Sequence, residues 1–172
     1  KGIDLLLDIM PRLMAMPLQI ALIGSGDKRF EQSLLHWSKL FPDRLAVRLG
    51  YDEASARLIE GGTDVFLMPS RFEPCGLNQM YSQRYGAIPL VRRAGGLADT
   101  VVDARPETIA DGLATGFVFD PATADALFEA IERALALYAE PDEWRKIQRN
   151  GMAKDFSWDK SAREYAALYD MA

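Results

Sequence analysis

The chain has 172 residues, enough for one well-buried domain and few for two. With 49% hydrophobic and 26% charged residues, its composition is that of an ordinary globular protein, and the net charge of −5 argues against general nucleic-acid binding. One cysteine and one histidine exclude an internal disulfide and argue against a metal site, so we expect no metal and no other cofactor.

The N-terminal segment predicts a helix over residues 5–16 with a kink or break at Pro11. Read alone, Lys1 is a frayed terminus, and the immediate helical pattern without a methionine suggests a piece of a longer protein. No apolar run is long enough to span a bilayer and no signal peptide is visible, so we expect a cytoplasmic protein without a membrane partner.

The first predicted strand ends in a glycine-rich turn. Residues 18–23 form a near-continuous apolar run, typical of a strand buried on both faces, and Gly24-Ser25-Gly26-Asp27 follows. A dinucleotide loop would need a third glycine where Arg29 stands, and the lysine of a P-loop is missing. A plain tight turn and a ligand contact at Gly24 and Gly26 therefore both remain open.

The next segments predict a helix over residues 28–41, a strand over 45–49 and a short helix capped by Asp52. His36 lies off the apolar stripe of the first helix, so we interpret it as a solvated residue and not as a base. Tyr51 follows the strand end, where an aromatic ring either stacks on a nucleotide base or packs against the protein.

The stretch over residues 66–102 predicts strand, loop, helix, strand, loop and helix. Loops after parallel strands meet at one sheet edge, so we expect residues 70–76 and 94–96 to lie side by side. A helix starting near Gly76 or Leu77 offers amide groups to phosphate or sugar. Glu73 stands just before this helix. It either accepts hydrogen bonds from a polyol or only places a negative charge where it interacts favourably with the helix dipole.

Two further features of this stretch are ambiguous. Cys75 invites a nucleophile interpretation, but no histidine lies near it in sequence, which argues against thiol catalysis. Arg92 and Arg93 end a strand, where either one could add positive potential to the site or serve only solubility.

The remainder predicts a short strand over residues 115–119, a helix that begins at Asp120-Pro121, and further helices to the end of the chain. Their aromatic residues are at helical spacing, which indicates core or docking positions.

The irregular motifs of the central stretch point to a family. S-R-F-E-P-C-G-L at residues 70–77, R-Y-G at 84–86 and R-R-A-G-G-L-A-D-T-V at 92–101 closely resemble the donor-binding loop of bacterial glycogen synthases and plant starch synthases. These are retaining glycosyltransferases of the GT-B architecture. The resemblance covers essentially the whole chain, as the C-terminal half of such an enzyme.

This resemblance implies an α/β fold, with a Rossmann-like parallel sheet flanked by helices. We expect one nucleotide-sugar-binding domain over residues 1–172, in which the helices of 142–172 pack toward an absent N-terminal domain.

The implied reaction is glycogen or starch biosynthesis: glucose passes from ADP-glucose to the 4-hydroxyl end of an α-1,4-glucan. The acceptor binds through the missing domain, and the isolated domain is expected to be inactive. The compartment would be a plastid in a plant. The alternatives are another GT-B nucleotide-sugar transferase, or a non-catalytic nucleotide-binding module.

The resemblance also implies roles for residues. Glu73 contacts the transferred glucose and is the implied catalytic residue, Lys1 contacts the donor phosphates, and Tyr51 packs on adenine. A phosphate-binding arginine of the family, a few residues upstream of the lysine, is not part of this sequence.

The remaining implied contacts are made mainly by backbone amides. Cys75, Gly76 and Leu77 line the sugar and diphosphate, and the turn at Gly24 and Gly26 lies near the nucleotide. Gly95 and Gly96 form a second phosphate-facing loop. Tyr81 stands where broader nucleotide-sugar transferases have a second glutamate, which favours the glycogen and starch synthase branch.

Overall fold

The computed structural model describes residues 1–169, apart from the side chains of Lys160 and Glu164, and has five parallel strands flanked by helices. The strands are β1 (Ile20–Gly24), β2 (Leu45–Leu49), β3 (Val65–Met68), β4 (Ile88–Arg92) and β5 (Phe117–Phe119). The helices are α1 (Ile3–Asp8), α2 (Met10–Leu13), α3 (Lys28–Leu40), α4 (Glu53–Gly62), α5 (Asn78–Tyr85), α6 (Gly96–Thr100), α7 (Pro106–Ala110), α8 (Ala124–Tyr138), α9 (Pro141–Met152) and α10 (Trp158–Tyr169).

Hydrogen bonds divide the strands into two groups. β1 pairs with β2, with Ile20 opposite Leu45, and β3, β4 and β5 form a second sheet in that order. All pairs are parallel, so the loops that follow the strands gather at one edge. The predicted Rossmann-like architecture is confirmed.

Side-chain caps start several helices where the sequence predicts them. Asp27 accepts a hydrogen bond from the Arg29 amide and caps α3, and Asp52 does the same for the Ala54 amide and α4. The predicted helix start at Asp120-Pro121 is wrong. α8 begins at Ala124, because the Thr123 hydroxyl accepts a hydrogen bond from the Ala126 amide and serves as the N-cap.

The N-terminal helix is broken, as predicted, but the break lies at Ile9, which separates α1 from α2. Pro11 stands in the first turn of α2, where its missing N–H costs no helical hydrogen bond. Leu5, Leu6, Met10 and Leu13 are buried and tie both short helices to the core.

The core lies between the second sheet and the helices that cover it. β4 is its centre, since Ile88, Leu90 and Val91 are almost wholly inaccessible to solvent. β1 differs from its prediction: its side chains are half-buried or exposed instead of buried on both faces. β3 is likewise half-buried along its whole length.

The two C-terminal helices behave differently. α9 packs on this domain, with Trp144 and Ile147 buried in the main core. α10 exposes Trp158, Tyr165 and Tyr169. Docking of residues 142–172 on another domain stays a prediction, and residues 170–172 lie outside the described part. None of the helices within residues 1–169 is long and apolar enough to cross a membrane.

Candidate functional site

The candidate site is built on the loop that follows β3. Glu73 is buried, and its Oε2 atom accepts hydrogen bonds from Lys1 Nζ at 2.5 Å and from Ser70 Oγ at 3.1 Å. Ser70 is itself almost wholly inaccessible, whereas the Lys1 side chain is 68% exposed. The site therefore has a fixed carboxylate with an accessible ammonium group beside it.

This surrounding keeps Glu73 ionised. The hydrogen bond from Lys1 lowers the Glu73 pKa, burial of the carboxyl raises it, and the Ser70 hydroxyl lowers it further, so that the pKa lies below its ordinary value of 4.5. At neutral pH Glu73 is thus an acceptor of hydrogen bonds and not a proton donor.

Two glycines bring the neighbouring loop against the Glu73 loop. A Cβ on Gly95 would lie 2.0 Å from the Glu73 carbonyl oxygen, and one on Gly96 would lie 2.3 Å from the Cys75 carbonyl oxygen. Gly95 also has φ of 46°, in the region that favours glycine, and the Gly96 amide donates to the Pro74 carbonyl at 3.2 Å. The predicted side-by-side arrangement of the two loops is confirmed.

A buried glutamine fixes these loops from below. Gln79 Nε2 donates to the carbonyls of Cys75 and Gly76 and to Thr100 Oγ1, at 3.2, 3.0 and 3.1 Å. The Thr100 hydroxyl in turn donates to the Gly96 carbonyl at 2.6 Å. One side chain thereby links the loop before α5 to the start of α6.

The two arginines at the end of β4 support the loop and its surroundings. Arg92 donates to the carbonyls of Ser70 and Arg71, at 2.7 and 2.5 Å, and so holds the backbone that carries Glu73. Arg93 pairs with the Asp120 carboxylate at 3.0 Å. Arg92 therefore supports the backbone of the site. The sequence did not show which of the two arginines has this role.

A groove between β1 and β3 joins several of the predicted site residues. Its lining includes Lys1, Gly24, Gly26, Tyr51 and Glu73. We call the part formed by these residues the polar end of the groove. The Tyr51 side chain is 86% exposed and is free to receive a flat ring.

The glycine-rich turn after β1 has a local acceptor. The Gly26 amide donates to Glu31 Oε1 at 2.9 Å, so a carboxylate lies where a bound phosphate would otherwise accept. Both Gly24 and Gly26 have open space on the side of a Cβ. The turn lies at the polar end of the groove, and its Gly26 amide is already hydrogen-bonded within the chain.

Cys75, Gly76 and Leu77 are not among the residues that line this groove. The Cys75 thiol is exposed and contacts the Gly76 carbonyl at 3.4 Å, and Leu77 is half-exposed at the start of α5. Gly76 has φ of 74°. The predicted helix start near Gly76 or Leu77 agrees with the observed first residue of α5, Asn78.

Two residues that shape the site, Ser70 and Gln79, were assigned no role from the sequence, and Arg92 was left undecided beside Arg93. The spacing of Ser70, three residues before Glu73, was a usable signal. The Gln79 contacts depend on Thr100, which is 21 residues away and carries no local signal.

With this fold and geometry, the chain can be placed in a family. The model for the group 1 glycosyl transferases matches residues 1–151, and the chain belongs to this family.

Two similar proteins show which members of this family the chain resembles. The chain is 59% identical over 169 residues to glycogen synthase 1 of Methylococcus capsulatus and 55% identical over 171 residues to the glycogen synthase of Nitrosomonas eutropha. These alignments cover 98% and 99% of the chain but 34% of each relative, so the chain spans about a third of their length.

Solved structures agree. The catalytic domain of starch synthase IV from Arabidopsis thaliana, bound to ADP and acarbose, matches with a TM-score of 0.86 at 35% identity, over 99% of this chain and 36% of that one. Sucrose-phosphate synthase from Thermosynechococcus elongatus matches with a TM-score of 0.71 at 27% identity, over 99% and 42%. The resemblance to the C-terminal domain of glycogen and starch synthases is thereby confirmed.

Proposed function

We propose that this chain is the donor-binding half of a retaining glucosyltransferase that moves glucose from ADP-glucose to the 4-hydroxyl end of an α-1,4-glucan. The observation that carries the proposal is Glu73, a buried, ionised carboxylate held by Ser70 and Lys1 at the edge where the loops meet. Similarity to glycogen synthases supports the choice of glucose and glucan.

The charges fit a reaction whose leaving group is a nucleoside diphosphate. Lys1 Nζ uses one N–H on Glu73, and an ammonium has two more, which can donate to diphosphate oxygens as negative charge develops there. Glu73 can accept hydrogen bonds from glucose hydroxyls and hold the ring in place. Both groups are fixed before the substrate arrives, which lowers the cost of reorganisation during the reaction.

Retention of the anomeric configuration requires either a covalent intermediate or attack on the face from which the diphosphate departs. Glu73 is engaged by two donors, and we assign it to orientation of the sugar and not to nucleophilic attack. The acceptor hydroxyl would then lose its proton to the departing diphosphate as the glycosidic bond forms on the same face.

The preference for adenine is assigned to Tyr51. Its exposed ring follows β2 at the polar end of the groove, and stacking of one base on an aromatic ring is worth about 1–3 kcal/mol. The ADP bound in the Arabidopsis starch synthase structure supports this choice of nucleotide. The glucan acceptor is assigned to the part of the longer protein that this chain does not span.

Calorimetric titration of the longer protein with ADP and with UDP tests the donor assignment. We expect ADP to bind at least about tenfold more tightly than UDP, and Tyr51→Ala to weaken ADP binding by about tenfold, given the stacking energy. Leu113→Ala, which removes an exposed apolar side chain outside the groove, is the control and should leave the affinity unchanged. Equal affinity for both nucleotides, or no effect of Tyr51→Ala, would contradict the assignment.

A further inference from the structure

A second ion pair joins the segment of Lys1 to the loop of Glu73. The Asp4 carboxylate oxygen Oδ2 accepts hydrogen bonds from Arg71 Nε at 3.1 Å and from Arg71 Nη2 at 2.5 Å. Asp4 follows Lys1 by three positions, and Arg71 precedes Glu73 by two. The Asp4–Arg71 pair and the Lys1–Glu73 pair therefore link the same two stretches of chain.

The two pairs have opposite polarity. In one pair the N-terminal partner is the cation, Lys1, and in the other it is the anion, Asp4. If the two stretches slid past each other in one direction, Lys1 would approach Arg71. In the other direction Asp4 would approach Glu73. Since like charges repel, the arrangement of charges favours a single register between the two stretches.

Between the two pairs the backbones are in close contact. Gly2 is buried, and a Cβ at this position would lie 2.0 Å from the Pro69 carbonyl oxygen. Gly2 also has φ of 74°, in the region that favours glycine. Its carbonyl accepts a hydrogen bond from the Leu5 amide at 3.1 Å, at the start of α1. The backbone beside Lys1 is thereby seated directly on the loop after β3.

The loop itself is held from the opposite side. Arg92, at the end of β4, donates to the carbonyls of Ser70 and Arg71 at 2.7 and 2.5 Å. These bonds involve neither Asp4 nor the rest of α1. The loop therefore keeps its position without Asp4, and the contribution of Asp4 is to place the segment of Lys1 on it.

The Asp4–Arg71 pair contributes little to the stability of the fold. Its side chains are 38% and 50% exposed, and exposed ion pairs are screened by water. The helix that carries Asp4 is anchored by Leu5 and Leu6, which are buried in the core. Placement of charge is thus the larger effect of the pair.

Arg71 is directed away from the groove. Its Nε and Nη2 atoms donate to Asp4, and its Nη1 atom donates to the Ala122 carbonyl at 3.4 Å. Neither member of the pair is among the residues that line the groove, whereas Lys1 and Glu73 are. An effect of the pair on a bound donor must therefore act through Lys1.

The Lys1 side chain needs such support. Lysine has a flexible stem and a strongly hydrated ammonium group, and the Lys1 side chain is 68% exposed. A fixed position of Nζ therefore requires a fixed backbone. With the backbone held, Nζ keeps its hydrogen bond to Glu73 and can direct its other N–H groups at a diphosphate.

We propose that Asp4 and Arg71 are positioning residues of the donor site, whose ion pair holds Lys1 where its ammonium reaches both Glu73 and the diphosphate of the donor. This inference rests on the proposed function, which assigns Lys1 to the diphosphate. Asp4 has the charge that the role requires. The hydrogen bond from Arg71 lowers the Asp4 pKa more than burial raises it, so the pKa lies below its ordinary value of 3.8.

A double-mutant cycle between Asp4 and Lys1 in the longer protein tests the inference. Asp4→Asn keeps the shape of the side chain and removes its charge, and Lys1→Ala removes the ammonium. The affinity for ADP is measured by calorimetry, and kcat/KM is measured with ADP-glucose.

We expect each single variant to weaken ADP binding and to lower kcat/KM by about tenfold, because both displace or remove the same ammonium group. In the Lys1→Ala background, Asp4→Asn should have less than about a twofold further effect.

Calorimetry separates placement from folding, since unfolded protein lowers the number of binding sites and leaves the affinity of the remaining sites unchanged. Asp125→Asn is the matched control. It breaks another exposed aspartate–arginine pair, with Arg12 on α2, and Asp125 is not among the residues that line the groove. This variant should bind ADP and transfer glucose as the wild type does.

Equal effects of Asp4→Asn with and without Lys1 would overturn the inference, since Asp4 would then act independently of the lysine. Wild-type behaviour of Asp4→Asn together with a loss in Lys1→Ala would also overturn it, but would leave the proposed function standing. Unchanged ADP affinity and transfer in Lys1→Ala would contradict both, because the lysine would then not contact the donor.

Discussion

At the scale of single residues, Glu73 depends on a partner from a distant part of the sequence. Lys1 is 72 positions away, yet its ammonium shares the carboxylate with the nearby Ser70 hydroxyl. The Lys1 side chain is largely exposed, so the pair is screened by water and contributes mainly to the placement of charge. Its value lies in holding a cation and an anion together where a donor would bind.

Gln79 acts at the same scale. Its side chain is inaccessible to solvent, and its Nε2 atom serves the carbonyls of Cys75 and Gly76. We predict that Gln79→Met, which keeps the length of the side chain but removes the amide, lowers the free energy of unfolding by about 1–3 kcal/mol, because these carbonyls lose a buried donor.

Urea denaturation of the chain measures this effect. Gln32→Met is the matched control, since Gln32 is exposed on α3 and should change stability by less than about 0.5 kcal/mol. Equal stability of the two variants would show that Gln79 does not fix the loops.

At the scale of elements, Asp103 ties β5 to α8. Its Oδ1 atom accepts hydrogen bonds from the Val118 amide and from the Arg133 guanidinium, both at 2.8 Å. Its Oδ2 atom accepts one from Arg105 at 2.9 Å. Burial raises the Asp103 pKa, but the hydrogen bonds from Arg133, Val118 and Arg105 lower it more, so it lies below its ordinary value of 3.8.

We predict that Asp103→Asn lowers the free energy of unfolding by about 1.5–3 kcal/mol at pH 7, the usual value of hydrogen bonds to charged groups. Since the folded-state pKa is depressed, the contribution of the carboxylate is present above pH 3.8 and is lost as the pH falls through the folded-state value. The difference between the two proteins should therefore shrink in acid.

Urea denaturation at pH 7 and again below pH 3.8 checks both parts of this prediction. Asp142→Asn on α9 is the control, because its ion pair with Arg145 is exposed and contributes little. A difference between wild type and Asp103→Asn that stays constant with pH would be inconsistent with an ionised Asp103.

The elements were largely predictable from sequence because their signals are local. The apolar runs of β1 to β5 and the caps Asp27 and Asp52 each lie within a few residues of the element that they define. The start of α8 was not predicted, because a Thr cap three residues beyond Asp120 overrode the aspartate and proline signal.

At the scale of the whole molecule, the site was predictable in its loops but not in its connections. The motif placed Glu73 beside the glycine turns, since strand ends of a parallel sheet share an edge. It could not show that Arg92 holds the Ser70 carbonyl or that Gln79 reaches Thr100, because such contacts arise only when separate elements pack. The half-buried state of β1 was also beyond prediction, since it depends on which strands are its neighbours.

The proposed function places the donor site in this chain, which spans about a third of the length of its relatives. The acceptor site is then proposed to lie in the remainder of the longer protein, across a cleft. We therefore expect the chain alone to bind nucleotide weakly and to transfer no measurable glucose. A robust transfer rate from the purified chain would contradict this division.

The most direct test of the account is transfer of labelled glucose from ADP-glucose to glycogen by the longer protein, compared with its Glu73→Gln variant. We predict that the wild type prefers ADP-glucose to UDP-glucose, and that Glu73→Gln lowers kcat/KM by about 10²–10³, as for loss of one fixed polar group of a transition-state site. Glu107→Gln, an exposed position on α7, should leave the rate unchanged. Near wild-type transfer by Glu73→Gln would contradict the assignment of this carboxylate to the donor site.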